Sequence, residues 1–201
     1  TNRFLYRDLE SQLLLHIENY KKIGVKSGDR FALVGDYSFD IVAKLLALIS
    51  LNCILVPLTP DAYSKLSREI KQIIGFDWTD IVNKDVTKSD FADVPIHEYF
   101  QKINNDEKPG LVLLTSGTTG TPKVVVHDLS KLLKKFEIKR TTLRTLNFLL
   151  FDHWGGLNTL LYTLSNAAEL IFPDGRSSEN ICKKIQDFKV ELLPATPSFL
   201  S

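Results

Sequence analysis

The chain contains no methionine and only two cysteines, Cys53 and Cys182, far apart and in no CxxC pair. That spacing argues against a metal site and fits two buried or free thiols in a reducing, cytoplasmic compartment. Excess charge is lacking too: 25 Lys and Arg face 24 Asp and Glu, a formal net charge of +1. Such a balance gives no electrostatic footprint for nucleic acid or an anionic membrane surface. No long apolar run is present. The most apolar stretch, Ala43–Leu58, is interrupted by Lys44, Ser50, Asn52 and Pro57, so it reads as a helix followed by a strand and not as a membrane span. No basic, apolar, small-residue leader opens the chain. Together with the start at Thr1 and an end just after Thr196-Pro197-Ser198, which reads as the beginning of a helix, the missing methionine marks the chain as an expected fragment.

What is present is an ordinary globular balance over 201 residues, with 44% hydrophobic and 24% charged. Leu9, Leu13, Ile17, Tyr20 and Ile23 recur at helical spacing, with Asp8 as the expected N-cap and Gly24 beyond the C-terminus. Phe31–Val34 reads as a buried strand, Ser38–Leu51 as a helix, Cys53–Leu58 as a strand, Asp61–Ile74 as a third helix and Trp78–Val82 as a strand. The polar, proline-terminated stretch Asn104–Pro109 is the expected internal boundary. Beyond it, strands are predicted at Leu111–Leu114, Val124–His127, Leu146–Leu150, Glu169–Phe172 and Val190–Leu193. Helices are predicted at Asp128–Phe136, Gly155–Ser165 and Ser177–Phe188. The alternation predicts an α/β fold with a largely parallel sheet.

The chemistry concentrates between two of these strands, in Thr115-Ser116-Gly117-Thr118-Thr119-Gly120-Thr121-Pro122-Lys123. Glycines let backbone N–H groups approach a ligand, hydroxyls add directional donors, and one lysine supplies a mobile positive charge for phosphate oxygens. A plain hairpin turn would need neither so many hydroxyls nor a lysine at its exit. Nor is this a Walker loop, which runs from glycine and lysine directly into a helix. Here Lys123 leads into Val124-Val125-Val126, which is strand-like, so the grip comes from the loop itself.

These nine residues resemble the signature of the adenylate-forming superfamily: acyl- and aryl-CoA synthetases, adenylation domains of nonribosomal peptide synthetases, and luciferase. One departure is Val124, where the family usually has glycine. Further similarity runs through Phe4–Leu9, Gly24–Leu33, Leu51–Leu58 (with Asn52 where glycine is common) and Phe151-Asp152-His153-Trp154-Gly155-Gly156.

The resemblance implies a layered α/β/α/β/α-type N-terminal domain, incomplete, with mostly parallel sheets flanked by helices. It divides the chain into a first lobe, 1–105, and a second, 106–201, that carries the loop, with the mobile C-terminal domain absent. It implies an AMP-forming ligase. A carboxylate attacks ATP to give an acyl-adenylate, and the thiol of coenzyme A, or of a carrier-protein phosphopantetheine, then displaces AMP. Thr115, Ser116, Gly117, Thr118, Thr119, Gly120 and Lys123 would hold the β- and γ-phosphates. His153 would gate the acid pocket, against the alternative of a polar residue at a strand end. Gly155 and Gly156 would let a helix start near the ligand or merely form a turn. Trp154 and Phe151 would line the pocket or belong to the core. For His16, His97 and His127 a structural role is the better reading. Mg²⁺ would bridge phosphates, although no acidic cluster in the chain stands out as its ligand. Groups for adenine, ribose and the catalytic lysine would lie beyond Ser201, leaving these residues alone inactive. A short interval between His127 and His153 further implies residues missing near Arg140, visible as a break in the backbone.

Overall fold

The computed structural model describes residues 3–92, 97–115 and 122–200. Its first helix, α1 (Tyr6–Lys22), begins earlier than the sequence suggests. Leu5 is the N-cap, and Asp8 sits inside the first turn, where its carboxylate accepts the Leu5 N–H at 2.7 Å. The expected N-cap residue therefore satisfies a different donor at the helix start, the Leu5 N–H, from inside the first turn.

In the unit Thr1–Leu132, the elements after α1 are β1 (Arg30–Val34), α2 (Phe39–Ser50), β2 (Ile54–Leu58), α3 (Pro60–Lys65), α4 (Arg68–Ile74), β3 (Trp78–Ile81), β4 (Thr87–Lys88), α5 (Glu98–Asn105), β5 (Gly110–Thr115) and β6 (Lys123–Asp128). A short helix, α6 (Leu129–Leu133), follows. The single expected helix Asp61–Ile74 is two helices. Leu66 takes an extended conformation and is buried, and Ser67 then caps α4 by accepting the Ile70 N–H at 3.3 Å. Burying Leu66 and satisfying a fresh N-terminus outweigh a continuous run.

Among the described residues, the strands form one sheet in the order β4-β3-β1-β2-β5-β6. The four central strands are mutually parallel, and β4 and β6 add antiparallel edges. Strands β1 and β2 are buried along their whole length, as a parallel sheet covered on both faces requires. Ala32, Val34, Ile54, Val56 and Val112 pack on one face against Ile70, Ile74, Phe100 and Ile103. The alternate residue Phe31 meets Tyr20 of α1 edge-on at 5.2 Å.

The turn before β1 is tied to the end of α2, with the Gly28 N–H donating to the Asn52 carbonyl at 2.9 Å. Gly28 has φ +83°, and an added Cβ would stand 1.7 Å from Asn104 Oδ1. Asn52 itself has φ +56°, which explains why glycine would suit the position and why asparagine, the residue that tolerates this region best among the rest, can replace it.

The unit Leu133–Ser201 contains a 3₁₀ turn (Lys134–Phe136), β7 (Thr145–Leu146), α7 (Trp154–Ser165), β8 (Leu170–Ile171), α8 (Ser178–Phe188) and α9 (Pro197–Leu200). The strands here are shorter than predicted. After Leu146 the chain keeps one more bond, Asn147 N–H to Ile171 at 2.9 Å, and the Phe148 carbonyl then turns to the Arg176 guanidinium at 2.6 Å. The expected strand Val190–Leu193 reduces to one bridge, Thr145 with Leu192, followed by Pro194, which has no N–H to give. Leu146, Phe148, Ile171 and Ile181 form the core, with the rings of Phe148 and Phe199 4.5 Å apart.

The division between units falls at residues 132 and 133, away from the one expected after residue 105, because β5 pairs with β2 and carries β6 into the first sheet. The backbone from Glu137 to Arg144 is an unbroken irregular segment, anchored where Arg140 N–H donates to Asn166 Oδ1 at 2.5 Å.

Just past α7, Ala167 is held at φ +52°. An L-residue pays roughly 1–2 kcal/mol for this conformation. Ala167→Gly is expected to raise stability by about 0.5–1 kcal/mol in urea unfolding, part of the relief being lost to the freer unfolded chain. A fall in stability would refute that account.

Candidate functional site

Strand β5 runs parallel to β2, so its last residue, Thr115, lies at the carboxyl edge of the parallel sheet. That edge is where open α/β sheets present ligands. Instead of crossing over to another parallel strand, the chain returns as β6 alongside β5. The ladder runs through six pairs, from Gly110 opposite Asp128 to Thr115 opposite Lys123. Directly opposed residues of an antiparallel pair share a face. The pairs Val112–Val126 and Leu114–Val124 face the core. Thr115 and Lys123 therefore stand together on the other face, and both are exposed.

This geometry sets a frame for the predicted phosphate grip. Ser116, Gly117, Thr118, Thr119, Gly120 and Thr121 lie outside the described residues. Their two flanks are fixed: the loop leaves from an exposed threonine and returns to an exposed lysine directly across the ladder. The acid of β6, Asp128, stands at the far end opposite Gly110, about 17 Å away at strand spacing. There it accepts from Ser130 Oγ at 2.5 Å and the Lys131 N–H at 3.3 Å. A hydroxyl and an ammonium presented side by side, with the strand's carboxylate engaged elsewhere, suit phosphate oxygens.

His153 belongs to the other unit. It is the N-cap residue of α7, with its side chain 62% exposed and its Nε2 3.7 Å from Asp152 Oδ1. Its side chain makes no cap bond, and Trp154, Gly155 and Gly156 follow as the first three helical residues. Each glycine costs roughly 1 kcal/mol relative to alanine in a helix interior. Gly156 is buried, and its carbonyl accepts from the Asn147 side chain at 3.0 Å. Phe151 is fully buried and belongs to the interior, whereas Trp154 is only partly buried.

The remaining histidines take structural places. His16 contacts Asp40 at 2.8 Å, His97 caps α5 by accepting the Tyr99 N–H at 3.4 Å, and His127 stands opposite Leu111 within the ladder. Among the described residues no group of three or more His, Cys, Asp or Glu could hold a metal ion. A Mg²⁺ carried chiefly on ATP phosphates needs no such group, and no step is assigned to it. No helix of the described residues is long and apolar enough to cross a membrane.

One contact escaped the sequence. Lys135, which falls in the predicted helix Asp128–Phe136, donates to Asn158 and lies 4.6 Å from the centre of the Trp154 ring. No local pattern announces a contact between residues 23 positions apart.

The model of the family described as "AMP-binding enzyme" matches residues 5–201. One of the component proteins of mycosubtilin synthase from Bacillus subtilis is 24% identical over 225 residues, covering 98% of this chain and 8% of that protein. The inhibitor-bound N-terminal domain of FACL13 from Mycobacterium tuberculosis superposes with a TM-score of 0.75 at 18% identity, covering 99% of this chain and 57% of that one. O-succinylbenzoate coenzyme A synthetase (MenE) from Bacillus subtilis, in complex with AMP, gives 0.71 at 17% identity, covering 100% and 57%. The chain thus spans little more than half of these solved structures and under a tenth of the curated relative. At such identities the structures establish the fold: an α/β arrangement with a mostly parallel sheet flanked by helices, as in the N-terminal domain of adenylate-forming enzymes.

Proposed function

Because the chain belongs to the family of AMP-binding enzymes, we propose that it is the front part of an AMP-forming acid–thiol ligase. In the first step a substrate carboxylate oxygen attacks the α-phosphorus of ATP. The bond to the bridging oxygen breaks, leaving acyl-adenylate and pyrophosphate. In the second, the thiol of coenzyme A attacks the acyl carbon and AMP departs.

The observation that carries this reading is the ladder closing on Thr115 and Lys123, which brackets a segment of two glycines and five hydroxyls in Thr115–Lys123. Thr115, Ser116, Gly117, Thr118, Thr119, Gly120 and Lys123 hold the β- and γ-phosphates in this proposal. Their work is to place the phosphates and offset charge on the departing pyrophosphate, the main protein contribution to such transfers. His153, exposed at the head of α7, gates the acid.

ATP–pyrophosphate exchange by the full-length protein, across a panel of carboxylic acids, tests this. Acid-dependent exchange is the expected result. No exchange with any acid would favour a non-catalytic nucleotide-binding relative. The similarity to mycosubtilin synthase favours a second reading of the thiol step, in which a carrier-protein phosphopantetheine replaces coenzyme A. Release of acyl-adenylate by one thiol and not the other separates the two.

A further inference from the structure

The first turn of α7 has little of its own to hold it. His153 makes no side-chain cap, and two glycines, which support a helix poorly, follow within three residues. It is held from outside. The ammonium of Lys135, on the 3₁₀ turn Lys134–Phe136, lies 4.6 Å from the centre of the Trp154 ring and 4.8 Å from that of Phe136. It also donates to the Asn158 side-chain oxygen. Trp154 and Asn158 are one turn apart and share a face of α7. One cation thus spans the weak turn from its first residue to its fifth. Slight desolvation beside these groups lowers the Lys135 pKa from its ordinary value, while the side chain as a whole stays exposed.

We infer that Lys135 is a positioning residue: by clasping Trp154 and Asn158 it fixes the first turn of α7 and, through it, His153. The backbone supplies the link. The Leu157 N–H donates to the His153 carbonyl at 3.1 Å, and the His153 N–H to Leu150 at 3.3 Å, so the imidazole moves with the turn. This rests on the reading of His153 as the gate to the acid.

Two variants of the full-length enzyme test it. Lys135→Met keeps the aliphatic stem and loses the cation, and Lys135→Arg keeps the cation. In hydrogen exchange, K135M should speed the amides of Leu157 and Asn158, the first helix-bonded N–H groups of α7, about two- to fivefold, the worth of an exposed cation–π contact, with α8 unchanged. In pyrophosphate exchange, K135M should raise KM for the acid about two- to fivefold and leave KM for ATP unchanged, and K135R should restore both readouts. Unchanged protection in K135M overturns the clasp. Faster exchange with an unchanged acid KM, or an equal rise in both KM values, overturns the positioning role. A full-length wild type without any acid-dependent exchange defeats the functional reading instead, and hydrogen exchange still decides the clasp.

Discussion

Replacing Lys123 with alanine lowers kcat/KM for ATP in acid-dependent pyrophosphate exchange by about 10²-fold, with little change in stability. The size follows from what the ammonium is asked to do. A charge-assisted bond to phosphate is worth about 1.5–3 kcal/mol, and donors aimed at developing charge reach about 10²–10³ in rate. Folding does not depend on the side chain: Lys123 is exposed at the open end of the β5–β6 ladder. Its main-chain pairing with Thr115 survives in alanine. Lys123→Arg keeps the charge but replaces a compact ammonium by a planar fork, so it should retain part of the activity. Thr115→Val removes one neutral hydroxyl donor on the same face, a loss of about tenfold or less. Equal activity of K123A and wild type would remove the lysine from the phosphate grip.

The frame for that test was legible in the sequence, because its signals are local. Continuous apolar runs gave away β1 and β2, and the helical spacing of Leu9, Leu13 and Ile17 gave away α1. The loop chemistry between two apolar strands marked the hairpin whose ends are Thr115 and Lys123. What stayed hidden depends on partners far along the chain. The break at Leu66 follows from a pull into the core. The unit boundary depends on β5 choosing β2 as its neighbour. The strands near Leu146 and Leu170 stop early because the Phe148 carbonyl turns to Arg176. Nothing set Lys135 apart from the other lysines of the predicted helix Asp128–Phe136 until the fold placed it against Trp154 and Asn158.

The same limit applies to Asp80, whose loss should be the costliest single change in the first unit. Asp80 sits on the strand β3 with its side chain wholly buried. Tyr20 Oη donates to one carboxylate oxygen at 2.8 Å and Lys44 Nζ to the other at 2.9 Å. Lys44 also reaches Asp40 at 3.4 Å, and Asp40 meets His16 at 2.8 Å and the Gln12 amide at 3.2 Å. One chain of contacts thus fastens α1 and α2 to the sheet. Asp80→Ala strands a nearly buried ammonium and a buried hydroxyl together, and should cost about 3–5 kcal/mol. In a chain of this size that lowers Tm by roughly 6–20 °C at about 2–4 °C per kcal/mol. Asp80→Asn keeps an acceptor and should cost less. The pair Lys44→Met with Asp80→Leu should recover much of the loss, since apolar replacement of a buried ion pair is often neutral or stabilising.

The phenol of Tyr20 adds a pH signature. Burial first, and then the Asp80 carboxylate, raise its pKa above the ordinary 10.0. A raised folded-state pKa contributes stability that is complete below the unfolded value and is lost as pH rises toward the folded one. The Cys53 thiol, raised from 9.0 mainly by burial, acts in the same direction from a lower starting point. Stability should therefore fall from about pH 9 upward. In Tyr20→Phe the slope beginning near pH 10 should flatten, leaving the part owed to Tyr6, whose phenol burial also raises, even though the variant starts lower for want of its hydrogen bond. An alkaline slope identical in wild type and Y20F, or a loss below about 1 kcal/mol in D80A, would show that water reaches this network and that α1 is held by its apolar face alone.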